Sequence, residues 1–165
     1  MLAQSLLLVA FFAADLDYKP YASADGRYKT LFPGAVKTET KEVEAGGKKL
    51  TLTLDSVEVS DGVFFLVTYI DAPDDVAKLP AAMRLDKLRD GNKGDDGKVI
   101  LDKPIEVGVE KLPGRDLLIE KKDFHLRNRA VIAGNRVYQV MVQGTKDYVT
   151  SKETDRFFDA FEVTK

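Results

Sequence analysis

The sequence predicts an α+β fold, an antiparallel β-sheet covered by helices on both faces, and three observations predict it. Residues 63–70 read Val-Phe-Phe-Leu-Val-Thr-Tyr-Ile, apolar on both faces of a strand, so both faces must be hidden between layers. Turn signals of the hairpin type, Asp61-Gly62 and Gly134-Asn135 among them, separate strand-like runs. Two further segments repeat apolar residues at helical spacing, Ala81, Leu85 and Leu88 in one and Thr154, Phe157, Phe158 and Phe161 in the other.

Composition narrows the chemistry. The chain has 165 residues, 44% of them hydrophobic and 32% charged, one domain's worth of a globular protein with enough chain to bury a core. Its 25 basic and 27 acidic side chains leave a net charge of -2, so no field of one sign draws in a nucleic-acid backbone, and nucleic acid is not an expected partner. With no cysteine, disulfides, thiolate nucleophiles and cysteine-held metals are excluded. His125 is the single histidine, so a site built on two or three imidazoles cannot form within one chain. No cofactor is expected.

Residues 2–14 are apolar apart from Gln4 and Ser5. The run is short for a membrane span and suits the hydrophobic region of a signal peptide, although no Lys or Arg precedes it. The expected organisation is therefore residues 1–24 as signal peptide and short linker, then residues 25–165 as a single domain, exported to the periplasm or the cell exterior. Cleavage fits near Ala13-Ala14 or after Ala22-Ser23-Ala24. The alternative is a buried N-terminal helix. No lipid-attachment cysteine follows, so an exported product is expected to be soluble, and no stable membrane span is expected in the mature chain.

In chain order, residues 27–32 alternate polar and apolar and stop at Pro33-Gly34, as a strand closed by a turn does. Residues 36–44 are mostly charged and suit a sheet edge. Gly46-Gly47 turns the chain into a strand over 49–59, where Leu50, Leu52 and Leu54 give way to Val57 and Val59. That slip of phase predicts a bulge near Asp55-Ser56. After the 63–70 strand, Ala72-Pro73-Asp74-Asp75 breaks the chain, and Pro80 opens a helix that Gly91 ends.

The loop from Asp90 to Gly97 crowds oxygen ligands among glycines. It fails the EF-hand pattern, because counting from Asp90 places Asp95 where the glycine belongs and Leu101 where the bidentate glutamate belongs. A helix cap and turn explain it. Residues 99–109 read as a strand or strand pair with Pro104 near an edge, and Leu112-Pro113-Gly114 as a turn into a strand over 115–121. Thr150 with Glu153 forms a capping box for the last helix, whose Phe157, Phe158 and Phe161 must be buried. Residues 162–164 add a short strand.

With these residues placed, the chain resembles the PsbP-like family. The resemblance rests on Tyr28-Lys29-Thr30-Leu31-Phe32-Pro33-Gly34, on Pro113-Gly114-Arg115-Asp116, on Gly134-Asn135-Arg136-Val137-Tyr138-Gln139, and on Asp155-Arg156-Phe157-Phe158-Asp159-Ala160-Phe161. It implies an α-β-α sandwich and a non-catalytic assembly or docking role, with no catalytic positions to carry over.

The candidate site follows from strand register. If Lys122-Asp123 and Gly134-Asn135 are two-residue turns, Glu120 faces His125, Leu118 faces Arg127 and Asp116 faces Arg129, while Val140 and Val142 lie on the other side of Arg129 and Arg127. His125, Arg127 and Arg129, joined by Arg115 and Arg136, are the candidate ligand-binding residues, since guanidinium forks at period two can hold a carboxylate or phosphate. The competing reading is a ladder of cross-strand ion pairs with Asp116 and Glu120. Three functions stay open at this point. The favoured one is an exported non-catalytic binding or assembly module docking on another envelope protein or a small anionic ligand. The others are a small hydrolase or lyase using His125 as general base with Glu120 orienting it, and a metal-responsive or scaffold protein using the Asp90 to Asp96 loop.

Overall fold

The turn residues close the hairpins that their chemistry requires. Gly134 has φ 61°, a left-handed conformation that glycine adopts without a Cβ penalty, and it joins Ala133 to Arg136 as a paired couple. In the computed structural model, which describes residues 16–45 and 47–164, the elements run β1 (Lys19–Ala22), β2 (Tyr28–Phe32), β3 (Lys37–Ala45), β4 (Lys48–Ser60), β5 (Val63–Asp71), α1 (Asp74–Ala77), α2 (Ala81–Lys93), β6 (Lys98–Val107) and β7 (Leu112–Glu120). They continue with β8 (His125–Ala133), β9 (Arg136–Gly144), α3 (Lys146–Val149), α4 (Lys152–Asp159) and β10 (Glu162–Val163).

All strand pairs are antiparallel. The large sheet has the order β3-β4-β5-β9-β8-β7-β6 and the small one β1-β2-β10. Alternation along the strands sorts side chains to two faces. Phe65, Val67, Val140, Val142, Tyr138 and Val131 face Phe157, Phe158 and Phe161 and the small-sheet residues Tyr28 and Phe32, all in one core cluster. Fully burying each Phe contributes about 1.5–3 kcal/mol. On the other face Ala130, Ile132 and Val137 pack under Leu85 of α2.

Several expectations are corrected. Helix covers less of the sheet than predicted: α2 lies over β7 and β8, and the opposite face is closed by the small sheet together with α4. On the α2 side Leu54, Phe64, Leu66 and Met141 are only half-buried, because α2 does not extend over β4 and β5 and these side chains shield one another. The phase slip in β4 is not a bulge at Asp55-Ser56; that register runs unbroken, and the irregularity falls between Glu58 and Ser60. The slip instead reflects polar residues placed in the core, since Asp55 is buried and accepts hydrogen bonds from Tyr28 and Thr38, both at 2.5 Å.

Leu112-Pro113-Gly114 lies inside β7, and the turn is made by residues 108–111. The last helix is capped by Ser151, whose side chain accepts from Thr154 N, one residue after the predicted Thr150. Helix α2 continues past Gly91 to Lys93.

At the N-terminus, residues 1–15, which include most of the predicted signal peptide, lie outside the described residues. Strand β1 stands ahead of the boundary drawn at residue 25 and pairs with β2, Lys19 opposite Phe32 and Ala22 opposite Lys29. Tyr21 packs edge-on against Phe32 at 5.3 Å. The folded unit therefore takes in residues before 25.

Candidate functional site

The register derived from the two turns is the one observed. Glu120 pairs with His125, Leu118 with Arg127 and Asp116 with Arg129, and Val140 and Val142 flank Arg129 and Arg127 from β9. His125, Arg127 and Arg129 thus line one face of β8, the face toward α4. Arg115 does not join them. It pairs with Ala130, one position out of phase with Arg129, so it lies on the opposite face, where its Nη1 meets Asp86 of α2 at 2.6 Å and Asp102 of β6 at 3.3 Å. Arg136 shares the face of Tyr138 but stands at the far end of β9. Its guanidinium grips Asp71 bidentately at 2.7 and 2.8 Å and also donates to Asp25.

Each arginine of the predicted cluster already has carboxylate partners. Arg127 donates to Asp155 at 2.6 Å and to Asp116 at 3.3 Å, and its guanidinium lies 4.5 Å from the centre of the Phe158 ring. Its side chain is 14% exposed and that of Asp116 11%, so this is a nearly buried pair. Burial opposes the Arg127 charge, and Asp116 with Asp155 outweighs it, raising the guanidinium above its ordinary value. Arg129 reaches the Phe158 carbonyl at 3.0 Å, Asp159 at 3.3 Å and Asp116 at 3.9 Å. Its Nε and that of Arg115 are buried without a partner.

Strand register places Leu118 and Val142 directly beside Arg127 and Asp116 opposite Arg129; it does not show the diagonal reach of Arg127 to Asp116 or the carboxylates of α4. The signal for the latter was present, since Asp155 and Asp159 stand four apart beside the Phe stripe and so share one flank of α4.

Near Arg136 the ion pairing acts on the carboxyls. Arg136 holds Asp71 below the usual carboxylate range, against burial. Burial would raise Asp25, but Arg136 and the Ser23 hydroxyl outweigh it and lower the carboxyl. His125 and Glu120 are opposite in register, yet no hydrogen bond or ion pair joins them among the described residues, so the dyad of the hydrolase reading is not assembled. The Asp90 to Asp96 loop is tied by protein groups: Asp90 pairs with Arg89 at 2.9 Å and Asp96 with Lys121 at 2.9 Å. Among the described residues no cluster of three metal-ligating side chains forms.

Elsewhere among the described residues a groove of about 750 Å³ runs between the β6–β7 hairpin end and the chain from α4 into β10. Ile105, Val107, Leu112, Phe161 and Val163 give it an apolar lining, Arg129 reaches it from β8, and Glu106, Glu110, Asp159 and Glu162 also line it. Val109, at the hairpin tip, is fully exposed. The volume is within the ~300–1,000 Å³ typical of binding sites. Sequence reasoning missed this groove, because its two walls are about 50 residues apart in the chain and meet only through the sheet order.

Compared with known proteins, the sequence matches no family model and no curated protein. Among solved structures, the fold is similar to that of cyanobacterial PsbP (CyanoP) from Synechocystis sp. PCC 6803, solved in solution. The TM-score is 0.58 at 12% identity, over 93% of this chain and 96% of that one. The chain thus has a PsbP-like fold.

Proposed function

We propose that this chain is an exported, non-catalytic binding module that docks on another protein of the cell envelope through the groove between the β6–β7 hairpin and β10. The observation that carries this reading is the open groove itself, in which Ile105, Val107, Leu112, Phe161 and Val163 are joined by the fully exposed Val109 and bordered by charged residues. A concave surface with apolar side chains at its centre and polar ones around it is the arrangement of a protein-docking patch. The arginines support protein docking over small-anion capture. An incoming phosphate or carboxylate would have to displace Asp116, Asp155, Asp159, Asp71 or Asp86, each already in place.

Export rests on the apolar run at 2–14. Of the two cleavage positions, the one near Ala13-Ala14 retains β1, whereas cutting after Ala24 removes a strand that pairs with β2. N-terminal sequencing of the protein recovered from outside the cytoplasm is expected to find a start ahead of Tyr18. A start at Asp25, or recovery only from the cytoplasm, contradicts this.

Docking is tested by placing a photo-crosslinking amino acid at Val109 in the producing cell, with Asp61, in the turn at the other end of the sheet, as control. A discrete adduct from Val109 and none from Asp61 is expected. If Val109 yields no adduct, and phosphate or a carboxylate raises the unfolding temperature, the protein is a small-anion binder. A ligand at a hundred times its Kd adds about 2.7 kcal/mol.

A further inference from the structure

The side chains that give up one electron most readily are those of Cys, Trp and Tyr. This chain has no Cys and no Trp, and its Tyr residues, at 18, 21, 28, 69, 138 and 148, all lie among the described residues. Tyr21, Tyr28, Tyr69 and Tyr138 form one cluster in the core between the two sheets. Tyr28 is its hub, with ring centroids 6.1 Å from Tyr21, 5.9 Å from Tyr69 and 5.9 Å from Tyr138. Tyr28 is fully buried, whereas Tyr21 is only partly covered and brings the cluster to the surface.

The hydroxyl partner separates Tyr28 from the others. A phenol that loses an electron becomes a strong acid, so a tyrosine is oxidised at neutral pH as its O–H proton leaves. A base within hydrogen-bond reach takes that proton directly. Tyr28 donates to the Asp55 carboxylate at 2.5 Å. The Tyr18 and Tyr138 hydroxyls donate to the backbone carbonyls of Glu153 and Arg27, and that of Tyr21 meets Thr38. Tyr69 stands opposite Thr53, and the Tyr148 hydroxyl is buried without a partner. Asp55 is 1% exposed, its other donor is Thr38, and among the described residues no cation competes with the phenolic proton for its oxygens.

We infer that Tyr28 is a redox site, which holds the vacancy left when a strong one-electron oxidant takes an electron from this protein. The electron leaves through the ring contacts and Tyr21, and the oxidant is reduced by that one electron. The Tyr28 O–H bond breaks and its proton passes to Asp55 Oδ2. The products are a neutral phenoxyl radical on Tyr28 and the Asp55 carboxylic acid, which donates back to the phenoxyl oxygen. The buried pair goes from one negative charge to none, so the step removes a charge from the core where oxidation elsewhere would add one. Burial then keeps the radical from meeting a second one. The inference is independent of the docking reading, and the Val109 crosslink does not bear on it.

The test is flash photolysis of the protein with tris(bipyridine)ruthenium and the irreversible electron acceptor pentaamminechlorocobalt(III), followed by EPR. The expected product is a tyrosyl radical that outlives the radical of N-acetyltyrosinamide made in the same way. Its electron–nuclear double resonance spectrum is expected to carry a proton coupling, from the acid of Asp55, that is lost after equilibration in deuterium oxide. Asp55→Asn keeps an acceptor for the Tyr28 hydroxyl but removes the base, and is expected to slow formation of the long-lived radical by about a hundredfold or more. Tyr28→Phe, checked as folded by circular dichroism, is expected to leave only a short-lived radical. Decay as fast as that of the free amide, a spectrum without the exchangeable coupling, an unchanged rate in Asp55→Asn, or the same long-lived radical in Tyr28→Phe overturns the inference. If Tyr28→Phe does not fold, the lifetime, the coupling and the Asp55→Asn rate decide.

Discussion

Replacing Arg127 by Met tests whether the arginine row is structural. Arg127 and Asp116 are nearly buried, with side chains 14% and 11% exposed and 3.3 Å apart. Methionine keeps most of the volume and a soft contact to Phe158, so the loss is dominated by the carboxylate left behind. Breaking a buried pair by removing one partner costs about 3–5 kcal/mol. Arg129 remains 3.9 Å from Asp116 and compensates in part, which places the loss at the lower end, about 3 kcal/mol. For a domain of this size each kcal/mol moves the midpoint by about 2–4 °C, so the unfolding temperature is expected to fall by about 6–12 °C. The assay is thermal and urea unfolding followed by circular dichroism. A companion Arg127→Met, Asp116→Leu double variant removes the orphaned charge and is expected to recover most of the loss. A single-variant loss below about 1 kcal/mol, or no recovery in the double variant, refutes the ladder as a buried structural pair.

Three other outcomes follow from the packing and the charges. Gly114→Ala is expected to disrupt the β6–β7–β8 region, because a Cβ there meets the Ala130 carbonyl at 2.7 Å and Ile105 at 3.1 Å; urea unfolding reads the loss, and wild-type stability contradicts it. Phe157→Ala opens the core between Phe32 and Phe65, whose rings lie 5.2 and 5.1 Å away, and is expected to cost about 3–5 kcal/mol. Asp71 and Asp25 have folded-state values below the ordinary carboxylate range. Their contribution is therefore fully present above the unfolded value near pH 4 and is lost as pH falls through the folded values. Arg136→Gln is expected to flatten that acid limb in a pH series of unfolding midpoints; an unchanged slope would show that Arg136 is not its source.

Local rules of strand and turn were enough to place the β7–β8–β9 meander. Two-residue turns at Lys122-Asp123 and Gly134-Asn135 fix the register of everything between them, because a slip by one residue would turn every side chain to the wrong face. The Phe stripe of α4 was readable for a similar reason, a helical period of large apolar residues with a polar flank. What escaped depends on distant contacts. Strand β1 looked like linker because Lys19-Pro20-Tyr21-Ala22 has little strand character alone, and its order comes from β2 and the ring contacts of Tyr21. The apolar face of β5 promised a second helical layer, yet half-burial among neighbouring strands is enough to hold Phe64 and Leu66. At the candidate site, cross-strand spacing showed which arginines share β8, but not that α4 brings Asp155 and Asp159 to neutralise them. Long side chains reach diagonally and across layers, so strand register alone understates their partners.

The measurement that tests the docking claim most directly is hydrogen exchange of the protein with and without the partner joined at Val109. Amides protected on binding mark the buried surface. The groove account predicts new protection at residues 105–112 and 158–164, and little change along 125–129. Protection concentrated on 125–129, with the hairpin tip and β10 exchanging as in the free protein, would contradict it and return the arginine row to the centre of the function.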